Sequence, residues 1–588
     1  MSPSRVMAVV TKRPAKHYRR HVAQAYVIHG CGPRMDQQRA GRGLRRWHLV
    51  LGAIVIGGLL LRVVDLGGRV FHWDEARVGY WTLRYLETGS FAYRPVIHGP
   101  FLPLINAWIF DHVGVSDGTA RLVVALGGAA IPAMAIGLRR WLAPGAVVGV
   151  AVLIATDPTL VYYSRFMRND VLVAGASLAG VMLMVIAVDA DRPALLVPAG
   201  ALLGAAMTMK GTVLLYGLSA LGAAILMTDD RLLREAGDRA PGALVADGWA
   251  RILRWVEANG MRYALLTATA SVTLLAVAAW GYAPRPEVHS GPLTHRMVVV
   301  IAGLSDAVGQ FVDFWLMGDR QEHGYLPYLA HLLRTLVTGS PVLVSLGVAG
   351  IIAERYGRQR RPIVAFAGWW TLLAVIGYPL ATDIKAPWNA VHVLLPLSVP
   401  AGVTLAALIR MAGAERRQVA IAASVGLVVL AGVNGGGLLL YHNSADVGGA
   451  PVVQWAQPDA DLREALEAID TATTGHVGVD LLYVGGPDGA YHLSDPTAAD
   501  APPPGGPGWH DRLPLPWYTE RMDLVVMSVP EGADLNVELH DPPPVVIAPE
   551  ARADEVRAIL PTYTDRTVAM RLWDREVVVL TAPERPQQ

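Results

Sequence analysis

Apolar runs of roughly membrane-spanning length recur along the chain from residue 47 to residue 441 and then stop. Read one by one, they predict eleven helices, at 47–66, 118–138, 145–163, 170–188, 193–209, 211–228, 262–282, 330–353, 362–381, 388–409 and 418–441. A helix that crosses the hydrocarbon core needs roughly 20 apolar residues. Several of these runs are shorter, which leaves their ends loosely defined. After Tyr441 the period changes. "DLREALEAI" and "RADEVRAIL" have helical apolar spacing, whereas "VGVDLLYV", "DLVVMSV", "PVVIAP" and "REVVVLTA" read as short buried strands. The expected organisation is a lead-in over 1–46, a polytopic α-helical membrane domain over 47–441 and an α/β domain over 442–588. The linker "NSADVGGAP" and a proline-rich loop, "PTAADAPPPGGPG", belong to the last part.

Charge gives these helices a direction. Arg39, Arg42, Arg45 and Arg46 precede the first run, so the positive-inside rule puts the N-terminus in the cytoplasm. Counted alternately from there, the basic connections fall on one side: Arg139–Arg140, Arg192, Arg231 to Arg254, Arg355 to Arg361, and Arg410 to Arg417. The other, extracytoplasmic side receives 67–117, the turn around 157–170, 283–329, 382–387 and the C-terminal domain. A plasma-membrane protein with a cytoplasmic N-terminus is expected.

Composition agrees, with 53% hydrophobic and 17% charged residues. A net charge of +1 argues against nucleic acid as a partner, and the single cysteine, Cys31, excludes an intrachain disulfide or a thiolate metal cluster. Residues 1–34 resemble neither a signal peptide nor a domain, and Met35 is the expected true start.

Candidate chemistry gathers in the outer turns. "FHWDEARVGYW" places Asp74 and Glu75 just after the first apolar run. They can cap an interfacial helix, with Asp74 as N-cap, Glu75 in the first turn and Gly89 at its end, or they can do chemistry. "RPVIHGPFLPLINAWIF" sets His98 at a chain break before a second apolar helix, where a backbone-bonded structural histidine is equally compatible. "YYSRFMRND" brings Arg165, Arg168 and Asp170 to one turn. Arg168 and Asp170 can pair with each other, yet an ionisable group opening an apolar helix is a functional candidate by default. Lys210 in "TMKGT" and Lys385 in "TDIKAPWNAVH" are the only lysines beyond residue 34, and both fall outside against the positive-inside bias. Snorkelling accounts for either one singly.

Those motifs, "WDEA", "HGPFLP", "YYSRFMRND", "MKGT" and "KAPWNAVHVLLPL", resemble the flippase-activity-associated membrane proteins of the GT-C glycosyltransferase superfamily. The resemblance runs over about 47–441 and, through "PLPWYTER", into the C-terminal domain. It implies a GT-C membrane fold and transfer of a sugar from a polyprenyl-phosphate carrier to an acceptor outside the membrane, with inversion. Asp74 would be the catalytic carboxylate with Glu75 orienting it, and Arg168, Lys210 and Lys385 would bind the donor phosphate with Arg165 and His98 in support. Asp170 takes the family's second acidic position, where some members hold a divalent metal; such an ion would use Asp74 and Asp170. "HGP" stands where relatives have a double proline, so His98 carries over by position only. A non-catalytic carrier-binding or flippase-accessory protein is the alternative. The resemblance leaves the sugar and the acceptor open.

Overall fold

The computed structural model describes residues 37–91, 93–94, 98–235, 241–283, 288–289, 291–317, 323–357, 360–441, 452, 456–491, 508–570 and 575–583. The expected start at Met35, the linker after Tyr441 and most of the proline-rich loop lie outside the described residues.

Up to Tyr441 the described chain is helical. Seven helices among the described residues are long and apolar enough to cross a membrane, and two bent pairs raise the number to nine. Three shorter apolar helices, Trp47–Val63, Pro193–Met209 and Val213–Asp229, accompany them. This is a multi-pass membrane protein.

Two expected helices are broken. The run 145–163 bends by 56° at Asp157, and the run 330–353 by 107° at Ser340. Each break precedes a proline, Pro158 or Pro341, whose ring disfavours helical geometry in the residue before it. The breaks meet: Ser340 Oγ donates to Asp157 Oδ1 at 2.9 Å and to Thr159 Oγ1 at 2.8 Å. Polar side chains at the two bends thus bond one another.

The segment 283–329, expected to be polar, instead contains an apolar helix, Leu293–Phe311, whose apolar stretch continues to Trp315. It begins four residues after His289, which packs on Trp280 near the end of the helix Pro241–Tyr282. Four residues reach about 14 Å at most. At its other end Phe311 and Trp315 line the cavity described below, while Tyr282 hydroxyl bonds Met207 beside that cavity.

After Tyr441 the expected α/β domain is present, with one five-stranded sheet in the order β2-β1-β3-β5-β4. Strands β1 (Leu481–Val484), β2 (Val526–Val529), β3 (Val545–Pro549) and β5 (Glu576–Thr581) occupy the four anticipated runs. β1 pairs in parallel with β2 and β3, and β5 runs antiparallel to β3 and β4. The fifth strand, β4 (Thr564–Ala569), is an edge strand whose first four residues are exposed, so it carries no apolar run to announce it. Leu482, Val484, Val546, Ala548, Val578 and Leu580 form one buried face against the helix Glu550–Ile559.

This domain packs on the segment 71–117 of the helical domain. Asp117 accepts from Trp517 Nε1 at 2.9 Å, from Arg521 Nη1 at 2.8 Å and from Tyr518 hydroxyl at 3.0 Å. Tyr518 hydroxyl in turn accepts from the Phe71 amide at 2.8 Å. The Trp517 ring stacks on Phe71 at 4.7 Å and lies so close to Gly79 that a Cβ there would meet it at 2.6 Å. "PLPWYTER" is thus the part of the domain that presses on the helix Trp73–Thr88. Trp73 Nε1 adds a bond to the His510 carbonyl at 3.0 Å. The helix bearing the candidate carboxylates is held from both sides of the chain.

Candidate active site

The helix Trp73–Thr88 starts with a reciprocal cap built on His72, not on Asp74 as expected. His72 Nδ1 accepts the Asp74 amide at 2.9 Å while Glu75 Oε2 accepts the His72 amide at 3.1 Å. Burial pushes the His72 imidazole down to about 3, so it stays a neutral acceptor. Asp74 is thereby released from capping and put in the first turn. Gly89 ends the helix as expected, with φ 65°.

Glu75 is fully buried. Its carboxylate accepts from Arg121 Nε at 2.8 Å and Nη2 at 2.7 Å, from Arg69 Nη2 at 3.1 Å and from the Met167 amide at 2.7 Å. It ties the start of the helix to the turn 165–169, so it positions rather than reacts. Burial alone would raise this carboxyl; Arg121 and Arg69 outweigh it and hold the group down to about 2. Neither arginine stood out in the sequence, because each lies within a mixed loop or opens an apolar helix without a motif.

Asp74 faces a cavity of about 490 Å³ that Arg77, His98, Arg168, Lys210 and Asp383 also line. Arg77 Nη2 donates to its Oδ1 at 2.6 Å, and Arg168 Nη1 donates to its Oδ2. Burial would raise the Asp74 carboxyl, but Arg168 and then Arg77 prevail, and it is displaced downward. A carboxylate offers about four lone-pair sites, so an ionised Asp74 with two cationic partners keeps capacity for a hydroxyl donor.

Arg168 is the hub. Its Nε donates to Asp170 Oδ2 at 3.3 Å, its Nη2 donates to His98 Nε2 at 2.9 Å, and its guanidinium stacks 3.8 Å over Trp388. Burial, reinforced by Lys210 and Arg168, holds His98 well below its ordinary value, consistent with a neutral acceptor. His98 gets there because Gly99 presses against the end of the helix Leu196–Met209: a Cβ on Gly99 would lie 2.0 Å from the Thr208 carbonyl oxygen. That close approach also sets His98 beside Lys210, whose Nζ donates to Asp170 Oδ1 at 2.8 Å. His392 completes the surround of Asp170 at 3.5 Å.

Two expected members stand elsewhere. Arg165 binds the carbonyls of Leu61, Arg62, Val64 and Asp65 and so caps the end of the first apolar helix, whose last carbonyls have no partners within it. Lys385 is exposed and does not line the cavity, although Asp383, Ile384 and Ala386 around it do. Arg77, absent from the expectation, takes a place in the cation set. Its position three residues after Asp74, one helical turn on, was the available signal.

The guanidinium of Arg168 sits between Asp74 and Asp170, bonded to both. No group of three or more metal-ligating side chains occurs among the described residues. This arrangement does not fit a divalent ion shared by the two carboxylates, and no step below is routed through one. Apolar lining comes from Leu214, Leu215, Leu218, Phe311 and Trp315. The cavity thus joins three fixed cations and an ionised carboxylate to a greasy wall.

Residues 97–246 match the dolichyl-phosphate-mannose-protein mannosyltransferase family, and residues 462–582 match the Agl23 flippase-associated protein C-terminal domain. No curated protein matches the chain. Among solved structures, ArnT from Cupriavidus metallidurans bound to undecaprenyl phosphate is similar at 18% identity with a TM-score of 0.54, over 92% of this chain and 99% of that one. Its apo state gives the same identity and score over 93% and 100%. The chain has the GT-C fold, and its segments 97–246 and 462–582 are similar to the mannosyltransferase family and to the flippase-associated C-terminal domain respectively.

Proposed function

We propose that this protein is a GT-C glycosyltransferase that moves a sugar from a polyprenyl-phosphate carrier to an acceptor on the extracytoplasmic face. The observation that carries the reading is the meeting of Asp74 with Arg77, Arg168 and Lys210 around one cavity with an apolar wall. Three cations suit a phosphate, and the apolar lining suits a polyprenyl chain. Undecaprenyl phosphate in the similar ArnT structure supports that choice of carrier. The distribution of basic loops in the sequence supports an extracytoplasmic cavity, where a lipid-linked donor would replace a nucleotide sugar.

The step is a single displacement. An acceptor hydroxyl, oriented by Asp74, attacks the anomeric carbon as the bond from that carbon to the phosphate oxygen breaks. The bonding pair leaves with the phosphate, and the hydroxyl proton passes to Asp74. Arg168, Lys210 and Arg77 stabilise the charge that grows on the leaving phosphate. Configuration at the anomeric carbon inverts.

A carrier-binding accessory role is the second reading, favoured by the flippase-associated match over 462–582. It uses the same cations but gives Asp74 no task. Purified protein incubated with undecaprenyl-phosphate-linked sugars and native membranes separates the two. Sugar-dependent release of undecaprenyl phosphate is expected; binding without any release supports the accessory role.

A further inference from the structure

The cavity contains a second kind of chemistry that the transfer step does not use. Asp383 lines it together with Thr382, Trp388 and Asn389. Its carboxylate makes no hydrogen bond and no ion pair among the described residues, although Arg77, Arg168 and Lys210 are its electrostatic neighbours. Asn389 donates its amide N–H to Tyr328 hydroxyl at 2.5 Å, which leaves its Oδ1 buried without a hydrogen-bond partner. Asp383 thus brings to the cavity a carboxylate that awaits a donor.

The proposed ligand has three parts, and two of them bring no donor. A polyprenyl chain has none, and a phosphate at neutral pH presents acceptors that Asp383 would repel. The third part, the sugar ring, carries hydroxyls. Resting on the carrier reading above, we propose that Asp383 accepts hydrogen bonds from the hydroxyls of the donor sugar and determines which sugar the cavity takes. Trp388 gives the same stretch an aromatic wall, whose apolar face suits the C–H side of a sugar ring. The cavity is then divided by chemistry: donors from Arg77, Arg168 and Lys210 for the phosphate, and the Asp383 carboxylate as acceptor for the sugar.

The test is a binding comparison on the purified full chain. Bare undecaprenyl phosphate and its mannosyl, glucosyl and arabinosyl forms are titrated against wild type, Asp383→Asn and Asp383→Leu, with the melting temperature recorded for each. Wild type is expected to bind at least one sugar-linked form more tightly than the bare phosphate. Asp383→Leu should weaken that form by about 10- to 100-fold, the loss typical of a charge-assisted hydrogen bond. Its binding of bare undecaprenyl phosphate should stay within about two-fold of wild type or tighten. Asp383→Asn, which keeps one acceptor oxygen, should fall between. Equal losses for the bare and sugar-linked forms, no loss for either, or a wild type indifferent to the sugar would each overturn the proposal. A wild type that binds none of the four ligands removes the carrier reading itself, and this proposal with it.

Discussion

Asp74→Asn loses sugar transfer by about a thousand-fold or more while retaining the lipid donor. General-base assistance by one positioned side chain typically contributes 10²–10⁴-fold, and an amide cannot take the acceptor proton. The substitution also removes one negative charge from beside Arg77 and Arg168. Those cations then face the donor phosphate with less competition, so the dissociation constant for undecaprenyl phosphate should stay level or fall. A loss of turnover together with a loss of binding would mean that Asp74 acts by building the cavity. Turnover near that of wild type would remove it from the mechanism.

Glu75→Gln unfolds more easily and loses activity as a consequence. Glu75 is the shared counter-charge of Arg69 and Arg121, with side chains 5% and 1% exposed. Removing one partner of a buried ion pair typically costs about 3–5 kcal/mol, because the remaining charge is left uncompensated. The pH dependence has a definite sign. The folded-state pKa is depressed from 4.5 to about 2, so the stabilisation is complete above about pH 4.5 and is lost as pH falls toward 2, about 3 kcal/mol in all. Thermal unfolding in detergent at pH 7 should show a clearly lowered melting temperature for Glu75→Gln. At low pH the gap between variant and wild type should narrow. An unchanged melting temperature at pH 7 would show that the two arginines do not need this carboxylate.

Much of this arrangement was legible in the chain because the relevant signals are local. Membrane-length runs, the sidedness of arginines and the alternation of short strands with helices depend on neighbouring residues. So did the grouping of Asp74, Arg168 and Lys210 in outer turns, once the order of turns was known. What escaped notice is set by contacts across long sequence distances. Arg165 looked like a phosphate ligand until four carbonyls some hundred residues earlier were found to occupy it. Arg121 opens an apolar helix, and only folding brings it to Glu75, 46 residues away. Lys385 and Asp383 are two residues apart, and only the turn geometry assigns the carboxylate, not the ammonium, to the cavity. The helix Leu293–Phe311 was hidden by the polar residues around it, and β4 by its exposed edge.

The most direct test is an experimental structure of the full-length protein with undecaprenyl phosphate. The phosphate is expected among Arg77, Arg168 and Lys210, within hydrogen-bond reach of at least two of them, with the prenyl chain leaving along Leu214, Leu215 and Leu218. A headgroup seated away from these three cations, with Arg168 still bonded to Asp74 and Lys210 to Asp170, would contradict the account.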